Sequence, residues 1–378
     1  MPDTVLTDPA TSQPLRQRRT VRRWLASRLA TLIVAAALVL IFERLWPATS
    51  PTTNTNGFWS HVAFGAFLLR TFEFHLALGI LALAVVTLAL RSWRWGAFAA
   101  CLAITALTPT IRSQFPGGAR AAPGQFGSLR LMSVNLLVGG DTQYEVLLSE
   151  IARVDPDVIC FVEYSPTSDK VLQQSLQAKY PHIVVRPQLG PWGQAVYSKR
   201  PFLDAQGQPA SNELVNGAPA FEIDEGETFL GPQVRVLVAD SAGHTVPVRA
   251  VHVTSPSSCD RFAELQHNIA RLAAIADADK ARWGRIVLAG DFNSTPESAL
   301  HALLREHGLM ESAHALGLGR ATTWPRVTSL RFAPGIRLDH VMLAGDGVFV
   351  NAGKTVDFGS DHRGVWAEMR FNGDGPQR

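Results

Sequence analysis

Six places in the sequence set a carboxylate, amide or imidazole against the end of an apolar run. Asn135 ends the run in SVNLL, Glu163 ends DVICFVE, and His252 ends VRAVHVTS. Asp291 and Asn293 end RIVLAGDFN, Asp339 and His340 open RLDHVML, and Ser360-Asp361-His362 stands just before GVWAEM. The oxygen-bearing members suit a hard divalent cation. Glu163, with Asn135 and Asp361, offers the donors that Mg²⁺ prefers, and Mn²⁺ accepts the same set. The imidazoles suit proton transfer or contact with an anion, and Asp339 is a carboxylate able to orient His362. Three cysteines in 378 residues supply neither a four-cysteine zinc site nor a disulfide framework. Singly, each position has an ordinary explanation: Asp291-Phe292-Asn293 as an Asx pair, Asp361 as a turn residue, His252 as a core histidine. The pattern of six argues for a site.

A site of this kind needs strands that end together. Apolar, β-branched runs at Leu129–Leu136, Val158–Phe161, Ala195–Tyr197, Val234–Val238, Val246–Val253, Arg285–Ala289, His340–Leu343 and Gly364–Met369 predict those strands. Helical periodicity falls between them. Tyr144–Val154 aligns Val146, Leu147, Ile151 and Val154. Asp260–Ala281 aligns Phe262, Leu265, Ile269, Leu272 and Ile275, with Asp260 as the predicted N-cap. The fold class is therefore α/β (α+β) over residues 129–371, built in layers.

The ordered set Asn135, Glu163, His252, Gly290-Asp291-Phe292-Asn293, Arg337-Leu338-Asp339-His340 and Ser360-Asp361-His362 resembles the endonuclease/exonuclease/phosphatase superfamily of DNase I-like proteins. The resemblance covers essentially all of 129–371. It implies a sandwich of two mixed β-sheets flanked by helices and metal-assisted hydrolysis of a phosphodiester or phosphomonoester. It further implies metal ligation by Asn135, Glu163 and Asp361. Catalytic roles fall to His252, Asp291, Asn293, Asp339 and His362, with Asp291 and Asn293 positioning water and phosphate. Two positions depart from the common pattern: Gly364 stands where many members have Pro, and Val162 where Gln is frequent. The residue types leave open which imidazole is acid and which is base. Trp324 reads either as a stacking platform or as a loop residue closing the core, Arg261 as an exposed helix-start residue, and Cys160 as a small buried hydrophobe.

The first third of the chain is different. Up to Arg112 there are eleven Arg against four acids, a net of +7, so the remaining 24 basic and 28 acidic residues net −4. A mildly acidic C-terminal region disfavours indiscriminate duplex binding, which depends on neutralising phosphates. Trp24–Phe42, Phe74–Leu90 and Trp95–Ile111 are apolar runs of span length, and Arg16, Arg18, Arg19, Arg22 and Arg23 precede the first. No small-x-small cleavage pattern follows that run, which disfavours a removable signal segment. The expectation is a cytoplasmic N-terminus (1–23), a membrane domain (24–111) with about three transmembrane helices, a Gly/Pro linker (112–128), the catalytic domain (129–371) and a tail (372–378). Phe58–Leu69, only twelve residues long, reads as an interfacial or re-entrant piece. Arg clusters kept inside place the catalytic domain on the outer face of the plasma membrane. The expected partners are the lipid bilayer and a phosphoester substrate, either a lipid phosphate or lipid diphosphate or a nucleic acid. An inactive membrane-tethered binding module is the reading from another class.

Overall fold

A computed structural model describes residues 13–46, 57–118, 126–210, 221–224, 233–326 and 334–372. The expected tail, apart from Asn372, and the centre of the expected linker lie outside these residues. The chain divides into two units: Met1–Trp46 with Phe72–Pro109, and Pro47–Thr71 with Thr110–Arg378.

The first unit contains α1 (Gln13–Leu45), α3 (Glu73–Ala89) and α4 (Trp93–Arg112, whose last residues belong to the second unit). The expectation of three spans is corrected here. Only Thr20–Leu45 of α1 is long and apolar enough alone, among the described residues, to cross a membrane. The 17-residue α3 reaches span length only if counted with α2 (Phe58–Thr71) as one bent pair. The last turns of α4 are diluted by Thr105, Thr108, Pro109, Thr110 and Arg112. Helix α1 begins eleven residues before the apolar run, because Arg and Gln favour helix as much as the apolar residues do. Inside this unit Arg44 pairs with Glu73, and Ile33, Ala77, Ile80, Ala84, Ala99 and Ala103 form the packed seam.

The second unit holds two six-stranded mixed sheets. The first sheet has β1 (Phe126–Asn135), β2 (Val158–Val162), β3 (His182–Arg186), β4 (Gln194–Ser198), β11 (Val348–Lys354) and β12 (Val365–Asn372), in the order β11-β12-β1-β2-β4-β3. The second has β5 (Phe221–Asp224), β6 (Gln233–Ala239), β7 (Thr245–His252), β8 (Arg285–Asp291), β9 (Met310–Glu311) and β10 (Asp339–Gly345), in the order β5-β6-β7-β8-β10-β9. Each has one parallel pair at its centre, β1 with β2 and β7 with β8. The crossovers are α5 (Tyr144–Val154) and α7 (Cys259–Trp283), as parallel neighbours require. The other helices are α6 (Pro166–Leu176), α8 (Ala299–Glu306) and α9 (Ser312–Leu316).

Side-chain alternation explains the layers. Leu129, Leu131, Val158 and Cys160 of the first sheet share a buried cluster with Val248, Ala250, Val287, Ala289, Val341 and Leu343 of the second. The opposite face of the first sheet, with Met132, Val134, Ile159 and Phe161, packs on Leu147, Ile151, Leu172 and Leu176 of α5 and α6. Burial of Cys160 pushes its thiol up to about 12, and all three cysteines are free. The N-cap of α7 is Ser258, whose hydroxyl accepts from the Arg261 N–H. Asp260 lies in the first turn, where its charge still favours the helix dipole. Helix α2 belongs to this unit: Phe64 and Phe67 meet the Phe262 ring at 5.7 and 4.8 Å, and the Arg70 guanidinium donates to the Glu297 carbonyl.

Candidate active site

Counting by twos along the strands carries the inter-sheet face to the strand ends. From Leu129 and Leu131 it reaches Asn135, from Val248 and Ala250 it reaches His252, and from Val287 and Ala289 it reaches Asp291. Running backward from Leu343 and Val341 it reaches Asp339. Four polar side chains therefore project between the sheets at one end of the sandwich. Register sharpens this: His252 is level with Asp291 across the parallel pair, and Asp339 is level with Asp291 across the antiparallel one. Gly290 makes that register possible, because a Cβ there would collide with the Val251 carbonyl oxygen.

The two sheets join through Asn135. Its Nδ2 donates to Glu163 Oε1 at 3.1 Å and to Asp291 Oδ2 at 3.2 Å, while its Oδ1 accepts from the Leu137 N–H at 3.0 Å. The amide thus turns its nitrogen, rather than the oxygen that would ligate a cation, toward the carboxylates. Glu163, one residue beyond β2, has φ +55°, a left-handed conformation uncommon for a side-chain-bearing residue. It is fixed there by the Val138 N–H on Oε2 at 2.9 Å. Asn293, with φ +46°, is held by Asp291 Oδ1 accepting from its N–H at 2.9 Å and by its own Nδ2 donating to the Val253 carbonyl at 2.9 Å.

The two histidines are held in opposite states. His252 Nδ1 donates to the Pro191 carbonyl at 2.8 Å, which leaves Nε2 facing Glu163 Oε1 at 3.8 Å and Asp291 Oδ2 at 4.0 Å. Burial lowers its pKa, against the pull of Glu163, so it is the neutral ring. His362 Nδ1 donates to Asp339 Oδ2 at 2.7 Å, and its Nε2 lies 3.8 Å from Asp291 Oδ2. Burial opposes its charge, but Asp339 and Asp291 outweigh burial and raise it to about 10. Burial likewise pushes the Asp291 carboxyl up.

Glu163 and Asp361 are half-exposed, whereas Asn135, His252, Asp291, Asn293, Asp339 and His362 are buried. Asp361 Oδ2 accepts from Trp324 Nε1 at 3.1 Å, and its Oδ1 is buried without a hydrogen-bond partner. Asp291, Asp339 and His362 bring ligand atoms within 4.8 Å of one another. A carboxylate/imidazole cluster is thus present, and the carboxylates of Glu163, Asp291, Asp339 and Asp361, the last with an orphaned oxygen, supply the hard donors that fit such a cation.

Several further residues support the site. Gln233 brackets His252 by donating to its carbonyl at 2.9 Å and accepting its N–H at 3.2 Å. The Thr323 hydroxyl accepts from the N–H groups of Leu338 and Asp339. Ser360 Oγ donates to the Asn135 carbonyl at 2.9 Å, and Trp192 packs its ring 5.4 Å from His252. In Gly190-Pro191-Trp192-Gly193 the loop composition was the available signal. A Cβ at Gly193 would strike the Tyr164 carbonyl oxygen, so this glycine lets the loop close beside Glu163.

The Endonuclease/Exonuclease/phosphatase family model matches residues 132–362, more than half of the chain. The chain belongs to the endonuclease/exonuclease/phosphatase family. As a member it is a hydrolase acting on phosphoester bonds. Similar solved structures include a humanized D. rerio TDP2 with 14 mutations, 18% identical over 64% of this chain and 98% of that one, TM-score 0.49. An endonuclease/exonuclease/phosphatase from Beutenbergia cavernae is 20% identical over 65% and 72%, TM-score 0.47. A variant of the 3′ phosphatase NExo from Neisseria, bound to a product DNA hairpin, is 18% identical over 65% and 99%, TM-score 0.48. No curated protein is matched by the sequence.

Proposed function

We propose that this family member is a membrane-anchored, Mg²⁺-dependent phosphoesterase in which Glu163 and Asp361 hold the cation. The observation that carries this reading is the junction at Asn135, where a single amide ties Glu163 of one sheet end to Asp291 of the other. Asn135 then acts mainly by aligning these carboxylates. A bound cation would neutralise charge developing on the phosphoryl oxygens. Asp291, its carboxyl pushed up by burial, accepts the proton of the attacking water, and Asn293 orients that water and the phosphate. His362, kept protonated by Asp339, donates from Nε2 to a phosphoryl oxygen. His252, neutral and with Nδ1 committed to Pro191, contacts the leaving-group side through Nε2. Helix α1 anchors the chain with its Arg-rich start in the cytoplasm and the catalytic unit on the outer face.

The test is an assay of the full chain, purified in detergent, on bis-(p-nitrophenyl) phosphate, p-nitrophenyl phosphate, plasmid DNA and a polyprenyl diphosphate, with Mg²⁺, Mn²⁺ or EDTA. EDTA-sensitive release from at least one is expected, and its identity separates nuclease from lipid phosphatase. Glu163→Gln is expected to lose activity and to regain part of it at high Mg²⁺. Turnover indifferent to EDTA would sink the metal assignment. In cells, a C-terminal alkaline phosphatase fusion is expected to be active and a GFP fusion dark; the reverse would overturn the topology.

A further inference from the structure

Beside the candidate active site lies a group of positive charges that outnumbers its acids. Trp324 reaches Asp361 with its indole N–H, and two residues on, the Arg326 N–H donates to the Asp361 carbonyl at 2.7 Å. Arg363 follows His362 directly, and its N–H donates to the Thr323 carbonyl at 3.0 Å. Lys354, at the end of β11, donates from Nζ to the Thr322 carbonyl at 3.1 Å. One short segment, residues 322–326, therefore gathers Lys354, Arg326 and Arg363 around the backbone of Asp361 and His362.

The charge balance is uneven. A cavity of about 320 Å³ is lined by Lys354, Arg337, Glu311 and Asp339 among apolar residues such as Leu318 and Val341. Arg337 is matched by Glu311 at 3.4 Å, and Asp339 by His362 at 2.7 Å. Among the described residues, Lys354 has the Thr322 carbonyl as its hydrogen-bond partner and no carboxylate within ion-pair range. Among the described residues Arg326 has the exposed Asp357, at 4.0 Å, and that one carboxylate also acts on Arg363. The Arg363 side chain has no hydrogen bond among the described residues, and its Nε is buried, as is that of Arg326. Half-buried Lys354 is disfavoured as a cation first by burial and then by Arg363, Arg326, Arg337 and Arg320. Such an arrangement stores repulsion that an arriving anion relieves.

We propose that Lys354, Arg326 and Arg363 form a second anion subsite adjoining the reacting phosphate, which takes the second phosphate of a substrate carrying two. This rests on the hydrolytic site proposed above and narrows its substrate to diphosphates or phosphodiester chains, in preference to isolated phosphomonoesters. Arginine forks and a lysine point charge together suit a phosphate's three outward oxygens.

The subsite is tested without turnover. Full chain in detergent with EDTA is titrated with inorganic pyrophosphate by calorimetry. Saturable binding is expected, weakened about 10-fold or more by Lys354→Gln combined with Arg363→Gln, from the loss of charge-assisted hydrogen bonds. Lys354→Arg, which keeps the charge, and Lys170→Gln, an exposed change on α6, are expected to retain binding. No saturable binding, or equal loss in Lys170→Gln, overturns the proposal. With Mg²⁺ present, KM is compared for a thymidine dinucleotide with and without a 5′-phosphate, and for farnesyl diphosphate against farnesyl monophosphate. The double variant is expected to raise KM only for the two-phosphate member of one pair, and that pair names the source of the second phosphate. If neither pair discriminates in an active enzyme, the subsite assignment falls while the hydrolytic reading stands. If the wild-type protein hydrolyses nothing, the hydrolytic reading falls and the pyrophosphate titration still decides whether the anion site exists.

Discussion

Asp339 and His340 are neighbours on β10, yet alternation sends them to two different polar regions. Asp339 faces the end of the sandwich. There Glu163 and Asp361 keep contact with solvent and Asp361 Oδ1 has no partner. His340 faces a sealed cluster: Nδ1 meets Glu311 Oε1 at 3.3 Å, Nε2 donates to the Ser294 carbonyl at 3.1 Å, and the His301 ring lies 4.4 Å away. Glu311 accepts the His314 N–H at 3.0 Å with its other oxygen and pairs with Arg337. Both regions are built from imidazole and carboxylate. The difference is access: Glu163 and Asp361 stay in reach of solvent, whereas Glu311, Arg337, His301 and His340 are all buried. Residue type nominates a site; access for a ligand distinguishes one from a structural network.

The largest expected effect breaks the open region. His362→Ala is expected to lower kcat/KM by about 10²–10⁴ with the fold retained. Asp339→Asn is also expected to impair turnover, and the double variant to lose little more than His362→Ala alone, because the pair acts as a unit. Fully additive losses in that kinetic cycle would separate the two residues and remove the pairing from the mechanism.

The sealed region is expected to respond in stability instead. Glu311→Gln is expected to cost roughly 1–3 kcal/mol, read in thermal or denaturant unfolding, while activity per folded molecule is retained. Burial works to raise the Glu311 carboxyl, but Arg337 and His340 prevail and hold it at about 2. A carboxylate depressed on folding stabilises the protein fully above its unfolded pKa, near about 4.3, and that share is lost as pH falls toward 2. The variant should therefore show a flatter stability loss across this window. A collapse of activity at unchanged stability would make the sealed cluster part of the site.

The smallest expected effect lies where the regions meet solvent. Trp324→Phe removes the indole N–H from Asp361 and is expected to weaken apparent Mg²⁺ affinity by roughly 2- to 10-fold, equivalent to about 0.5–1.5 kcal/mol. No change in the Mg²⁺ dependence would reduce Trp324 to a packing residue.

The elements that carry chemistry were the legible ones. All eight predicted strands form, because burial on both faces demands continuous apolar sequence. The elements that escape are short or peripheral. At the sheet edges, β3 has five residues and β11 (VFVNAGK) interrupts its run with Asn, Gly and Lys. Helix α6 is polar enough to hide its apolar stripe, and β5 and β9 have four and two residues. β11 lies between β10 and β12 in the chain, where no apolar run predicts a strand. Trp324 illustrates the limit within the site: its bond to Asp361 joins residues 37 positions apart, which no local spacing encodes.

The pairing of β1 with β12 has a consequence for how the protein comes into being. These strands lie side by side inside the first sheet, with Ser133 opposite Val365, although they stand at opposite ends of the catalytic region. A ribosome must therefore release the whole catalytic region before that sheet can be completed. Until then β1 has an open edge and Asn135 waits without the Ser360 hydroxyl that later braces it. Long-range closure of this kind makes folding slow and leaves late intermediates exposed to association. Catalytic competence, on this topology, is acquired only when the last strand arrives.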